Sequence, residues 1–223
     1  MTDNPLCLAV FDCDGTLVDS QASIIHSMQA AFNHHGFEYP GDEAVRRVVG
    51  LPLAVAIRQL ASNVDEALSE VVSETYKAAF FELRQEGNVE EPLYDGISTV
   101  MDQLDSAGWL MGVATGKSHR GLVSTLSHHN ILDRFVTHQT ADRALGKPHP
   151  EMMFKAMDEA GVAPKDSVMI GDTTFDMQMA QNAKVRAIGV SWGYHEAQEL
   201  MDAGAALVVH TATELIDAIL KKD

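Results

Sequence analysis

Phe11-Asp12-Cys13-Asp14-Gly15-Thr16-Leu17-Val18-Asp19-Ser20 directly follows the apolar run Leu6-Cys7-Leu8-Ala9-Val10-Phe11, and the junction decides the fold. Six apolar residues without alternation predict a strand buried on both faces, hence a central strand of a parallel sheet. Two carboxylates, Asp12 and Asp14, follow at its end, where open α/β sheets place their sites. Carboxylates this close repel unless a cation or a proton sits between them. Gly15 supplies the tight turn by which the chain leaves the strand. A solvated strand-to-helix turn also carries Asp and Gly, and one Asp-Gly would fit that reading; the whole string does not.

Past Ser20 the texture changes. Ile24, Ile25, Met28, Ala31, Phe32 and His35 recur at helical spacing, with Asp19 or Ser20 placed to cap the start. Leu68, Val71, Val72, Thr75, Tyr76, Ala79, Phe80 and Leu83 form one face of a longer helix. Shorter helical pieces lie at 42–49 and 53–60, broken by Gly50-Leu51-Pro52. The pattern predicts an all-helical insert over residues 17–93, a small bundle in class. From Tyr94 onward apolar runs alternate with amphipathic helices. The runs are 110–114, 135–137, 168–170, 187–190 and 206–209; the helices fall near 96–107, 119–128, 150–160, 175–182, 197–203 and 213–220. Such alternation predicts an α/β, doubly wound parallel sheet, to which the first strand belongs.

The 223 residues are 46% hydrophobic and 22% charged, ordinary for a soluble globular protein with a substantial core. A formal charge of -16 and a pI near 4.9 make nucleic acid and anionic membrane poor partners. Any phosphate-bearing substrate must be drawn in by a local cation and donors. Cys7 and Cys13 lie too close together to staple anything useful, a reduced-compartment pattern. No apolar run approaches the ~20 residues that span a bilayer. Met1-Thr2-Asp3-Asn4-Pro5 lacks the basic start of a signal peptide, so a cytoplasmic protein is expected.

Three later segments carry further chemistry. Leu110–Ala114 ends in Thr115-Gly116-Lys117, a hydroxyl and free backbone N–H groups suited to an anion, or a plain turn. Gly146-Lys147-Pro148-His149-Pro150-Glu151 opens a helix and holds Lys147 between a glycine and a proline. His149 caps that helix or faces solvent. In Val168-Met169-Ile170-Gly171-Asp172-Thr173-Thr174-Phe175-Asp176-Met177, Asp172 ends a buried strand and Asp176 lies one helical turn later. Both acids can face one point, though acids also favour a helix amino terminus through its dipole.

Together these segments resemble, in order, the four motifs of the haloacid dehalogenase-like hydrolases: Asp-x-Asp-Gly-Thr-Leu-Val-Asp-Ser, the strand-end Thr115, Lys147-Pro-x-Pro, and Gly-Asp-Thr-x-x-Asp-Met. The resemblance covers essentially the full chain, including the helical insert, which the family calls a type 1 cap. Lys184 departs from the glycine common there, and Cys13 from a bulky apolar residue; packing is the plain role for Cys13. The resemblance implies a Rossmann-like core of residues 1–16 and 94–223 with a cap of residues 17–93, hinged near 17–20 and 88–94.

It also implies a mechanism. Asp12 would attack phosphorus and form an aspartyl-phosphate, and Asp14 would protonate the leaving oxygen and then activate water. Thr115, Gly116 and Lys147 would hold the phosphoryl oxygens. Four acids facing one lysine call for a hard divalent cation, Mg²⁺, on Asp12, the Asp14 carbonyl and Asp172, with Asp176 in support. In the cap, where acids outnumber Lys and Arg, the basic spot is Arg46-Arg47, beside Gly50-Leu51-Pro52. One of these arginines meets a second anion on the substrate, or both lie on a solvated helix face. The expected activity is a phosphatase on a small phosphorylated metabolite, similar to the phosphoglycolate phosphatase branch. A sugar phosphomutase would use the same motifs, and a non-catalytic binding module would use the same scaffold. A metal-free dehalogenase has no use for Asp14, and a phosphonate hydrolase would want a cap lysine better placed than Lys77.

Overall fold

The computed structural model describes residues 6–221; Met1–Pro5, from which no signal peptide is expected, lie outside that range. Among the described residues six strands form one parallel sheet in the order β3-β2-β1-β4-β5-β6. They are β1 (Cys7–Phe11), β2 (Trp109–Thr115), β3 (Thr137–Thr140), β4 (Ser167–Gly171), β5 (Arg186–Val190) and β6 (Leu207–Val209). The central strand pairs with β2 from Cys7↔Trp109 to Phe11↔Val113 and with β4 from Leu8↔Ser167 to Phe11↔Ile170. Strand order reverses between β1 and β4, and the ends of those two strands flank the crevice where open sheets take ligands.

Between β1 and β2 come α1 (Gln21–His34), α2 (Asp42–Val48), α3 (Leu53–Leu60) and α4 (Glu66–Gln85). They share an apolar cluster of their own, including Met28, Phe32, Val45, Ile57 and Val72. The two chain passages between this helical unit and the sheet run side by side. Val18 bridges Leu93 in antiparallel fashion, Asp19 N donates to the Pro92 carbonyl at 2.8 Å and Tyr94 N to that of Leu17 at 3.0 Å.

The sheet is covered on both faces, and β1 alternates between them as a strand must. Ala9 and Phe11 pack with residues of α5 (Ile97–Ser106), α6 (His119–His128) and, farther along the sheet, α10 (Ala212–Leu220). Leu8 and Val10 face α7 (Glu151–Ala160), α8 (Thr174–Ala183) and α9 (Ala197–Asp202). Among the described residues no helix is long and apolar enough to cross a membrane.

Three local expectations shift. The run at 135–137 is not a strand: Leu132–Arg134 forms a turn of 3₁₀ helix and β3 begins at Thr137. Phe135 is instead a core anchor, edge-on to Phe11 at 6.4 Å, whereas Thr-His-Gln-Thr carries no apolar signal. Pro150 stands just before α7 rather than in its first turn. At the start of α1 the Ser20 side chain makes no cap, and Asp19 accepts from Gln21 N at 3.3 Å.

Candidate active site

The turn after β1 is folded on itself. The Cys13 carbonyl accepts from the amides of Thr16, Leu17 and Val18, and Gly15 N donates to Val18 O at 2.9 Å. Gly15 sits at φ +83°, and a Cβ there would collide with the Asp172 carboxylate and the Tyr194 ring. The glycine therefore supplies both the left-handed turn and the close approach of two motifs. Cys13 packs in the core, and burial pushes its thiol up.

Asp12, Asp172 and Asp176 each offer an oxygen within 4.8 Å of the others, and all three are buried. Asp12 is anchored by Cys13 N on Oδ1 at 2.6 Å. Asp172 accepts from Thr16 Oγ1 at 2.7 Å and from Tyr194 N at 3.0 Å. At the start of α8, Asp176 Oδ2 accepts from Thr173 Oγ1 at 2.7 Å and Thr173 N at 3.1 Å, closing a capping box. The remaining oxygens, Asp12 Oδ2 and Asp176 Oδ1, have no aligned hydrogen bond. They meet only Lys147 Nζ, at 2.8 and 2.6 Å.

Burial and the neighbouring Asp176 push Asp12 up to about 7, against the pull of Lys147. Burial also raises Asp172 well above the usual carboxylate range, with Asp12 and Asp176 adding to it. Burial opposes the charge on Lys147, but Asp12 and Asp176 outweigh it and hold the ammonium above its ordinary value. One lysine does not neutralise three carboxylates.

Asp14 faces elsewhere. Its Oδ1 takes the Ser20 hydroxyl and lies 2.8 Å from Lys117 Nζ. Lys117 lies 3.0 Å from Glu91 Oε1, and Glu91 is held in turn by Arg84 at 2.5 Å and by the Thr125 hydroxyl at 3.1 Å. Glu91 is buried, which raises a carboxyl, yet Lys117 and Arg84 together keep it below its ordinary value. Thr115 is buried and its hydroxyl accepts from Lys117 N at 3.2 Å. Lys117 was within reach of a sequence reading, two residues past Thr115. Glu91 was not, because Asn88–Pro92 has no pattern to mark it.

A cavity of about 870 Å³ opens between these groups and the helical unit. Asp12, Asp14, Thr115, Gly116 and Lys117 line its floor; Met28, Leu51, Tyr76 and Phe80 line its roof. The loop Gly50-Leu51-Pro52 reaches the floor. A Cβ at Gly116 would stand 2.8 Å from Leu51 O, and one at Gly146 would strike Pro52.

Arg46 and Arg47 are not brought to this cavity. Arg47 forms a bidentate pair with Glu199 of α9, at 2.7 and 2.6 Å, and Arg46 reaches Glu43 at 3.4 Å. Both follow from helix phase: Val45 and Val48 take the inward positions of α2, which turns the arginines away. His149 caps α7, its Nδ1 accepting from Glu151 N at 3.2 Å.

The chain is 33% identical to "Probable phosphatase IndB" of Dickeya dadantii over 95% of its own length and 92% of that protein. It is 30% identical to the phosphoglycolate phosphatase of Pseudomonas syringae pv. tomato, over 97% of this chain and 80% of that protein. The crystal structure of a predicted phosphatase from Clostridium acetobutylicum superposes with a TM-score of 0.87 at 27% identity, covering 97% of this chain and 99% of that one. The model of the family described as haloacid dehalogenase-like hydrolase matches residues 9–190, and the chain belongs to that family.

Proposed function

We propose that the protein is a Mg²⁺-dependent phosphatase that hydrolyses a small phosphorylated metabolite through an aspartyl-phosphate on Asp12, in the manner of a phosphoglycolate phosphatase. One observation carries the reading: three buried carboxylates and Lys147 meet at the ends of β1 and β4, beneath a cavity that Asp14 also lines. The donor set fits a hard divalent cation. It is all oxygen, it exceeds the charge of Lys147, and two of its oxygens have no aligned hydrogen bond. Asp12, Asp172, Asp176 and the Asp14 carbonyl would hold the metal, which when bound offsets the charge of the transferring phosphoryl oxygens.

The chain's own groups do the rest. An Asp12 oxygen attacks phosphorus as the bond to the leaving oxygen breaks, giving an acyl phosphate. Asp14 donates its proton to that leaving oxygen, then takes one from the water that attacks the acyl phosphate. Lys147, the Thr115 hydroxyl and the Gly116 amide hold the phosphoryl oxygens. Residues 17–93 act as a cap over a core of residues 1–16 and 94–223, excluding water from the first step. The paired passages at Val18 and Leu93 are the natural hinge.

A panel of phosphorylated metabolites assayed with Mg²⁺ tests the reading. Phosphate release should cease with EDTA and return with Mg²⁺, and Asp12→Asn should be inactive while keeping its fold. Stoichiometric acyl-phosphate formation by Asp12→Asn, or full activity in chelator, would overturn it.

A further inference from the structure

Lys117 is a largely buried cation in contact with Asp14, and nothing in the mechanism above uses it. A lysine is a point charge on a flexible four-carbon stem, so by itself it positions poorly. Here the stem is confined. Its side chain is 11% exposed, the Phe80 ring lies 5.1 Å from Nζ, and Glu91 takes one of its donors at 3.0 Å. Glu91 is itself 3% exposed and braced by Arg84 and Thr125. The chain therefore runs from α4 of the helical unit, through the returning passage at Glu91, to the floor of the cavity.

We propose that Lys117, clamped from behind by Glu91, is a positioning residue that orients the Asp14 carboxylate toward the leaving group. Lys117 and the Ser20 hydroxyl both engage Oδ1. Oδ2 takes neither of these donors and is the oxygen turned to the leaving group in this proposal. Glu91 does not line the cavity; it meets two lining cations, Lys117 and Arg84, and of these only Lys117 contacts Asp14. Lys117 does line it, which makes Glu91 the cleaner probe. The inference rests on the acid/base role proposed for Asp14.

The test compares two substrates of the same charge in the presence of Mg²⁺. 4-Nitrophenyl phosphate has a leaving group that departs without a proton; benzyl phosphate has one that needs it. Misplacing an acid by about 1 Å costs on the order of 10²-fold, and general acid catalysis is worth about 10²–10⁴-fold. Glu91→Gln should lower kcat/KM for benzyl phosphate about tenfold or more and leave 4-nitrophenyl phosphate nearly unchanged. Lys117→Gln should widen the same gap, and Glu91→Asp should narrow it again. The ratio of the two substrates in one preparation does not depend on the folded fraction, so lost stability cannot imitate the effect. An unchanged ratio in Glu91→Gln, with a changed one in Asp14→Asn, would overturn the clamp alone. An unchanged ratio in Asp14→Asn would overturn the acid/base role instead. A raised KM for both substrates in Lys117→Gln, at an unchanged ratio, would make Lys117 a phosphate contact and also overturn the clamp.

Discussion

Lys147 carries its charge out of contact with solvent, its side chain fully buried between Asp12 and Asp176. Removing one member of a buried ion pair leaves the others uncompensated, at a cost of about 3–5 kcal/mol. Lys147→Met should therefore lower the melting temperature sharply in chelator, where no metal takes over the lost charge. A melting curve equal to wild type would mean that the carboxylates are held neutral. This residue, with Asp12, Asp172 and Asp176, was legible in the sequence because each stands where a strand ends or a helix begins, within a dense local pattern. Lys117 and Glu91 were less so. Their meaning comes from a contact between residues 26 apart, and a polar run such as Asn88–Pro92 carries no periodicity to reveal it. Arg46 and Arg47 are the opposite case: a basic pair in an acidic segment is conspicuous, but the sequence left open whether it meets substrate or solvent, because it does not say which way a helix of seven residues turns.

The elements bear their charges in pairs. Arg47 of α2 grips Glu199 of α9, joining the helical unit to the core at a partly exposed surface. Exposed pairs are worth only about 0.2–1 kcal/mol, so Arg47→Ala should shift the melting temperature slightly and leave substrate preference alone. A selective loss on substrates with a second anion would restore the arginine to the site. The Glu91 cluster should behave differently with pH. Glu91 is held below its ordinary value when folded, so its contribution is complete above the unfolded glutamate value of about 4.3. It fades as pH falls through the lower, folded value. Melting temperatures of wild type and Glu91→Gln should thus diverge at neutral pH and converge in acid; a gap that widens in acid would refute the assignment. Element positions were largely legible from apolar runs, except β3, whose four residues are polar or aromatic-polar and pair only at the sheet edge.

At the scale of the whole molecule, three buried carboxylates with one lysine are a charge excess that a bound cation would offset. Mg²⁺ at a hundredfold excess over its Kd should stabilise the folded state by about 2.7 kcal/mol, raising the melting temperature by roughly 5–10 °C. EDTA should abolish the shift. Ca²⁺ should also stabilise but inhibit, since it takes more ligands at longer distances and would disturb the alignment proposed for Asp12 and phosphorus. No thermal shift with either ion would argue against a metal at these acids. The doubly wound sheet itself was legible because strand-helix alternation leaves few other solutions. The register of β1 has a consequence for how the chain is made. This apolar strand is synthesised before both of its partners, Trp109–Val113 and Ser167–Ile170. At ribosomal rates of about 5–20 residues per second, roughly ten to thirty seconds pass between Phe11 and the second of them. Until Trp109–Val113 emerges both edges of the strand lack neighbours, and the β4 edge stays open until Ser167–Ile170 follows, a hazard for aggregation. Chains truncated before Ser167 should therefore aggregate more readily than the whole chain, which light scattering of truncation variants would check.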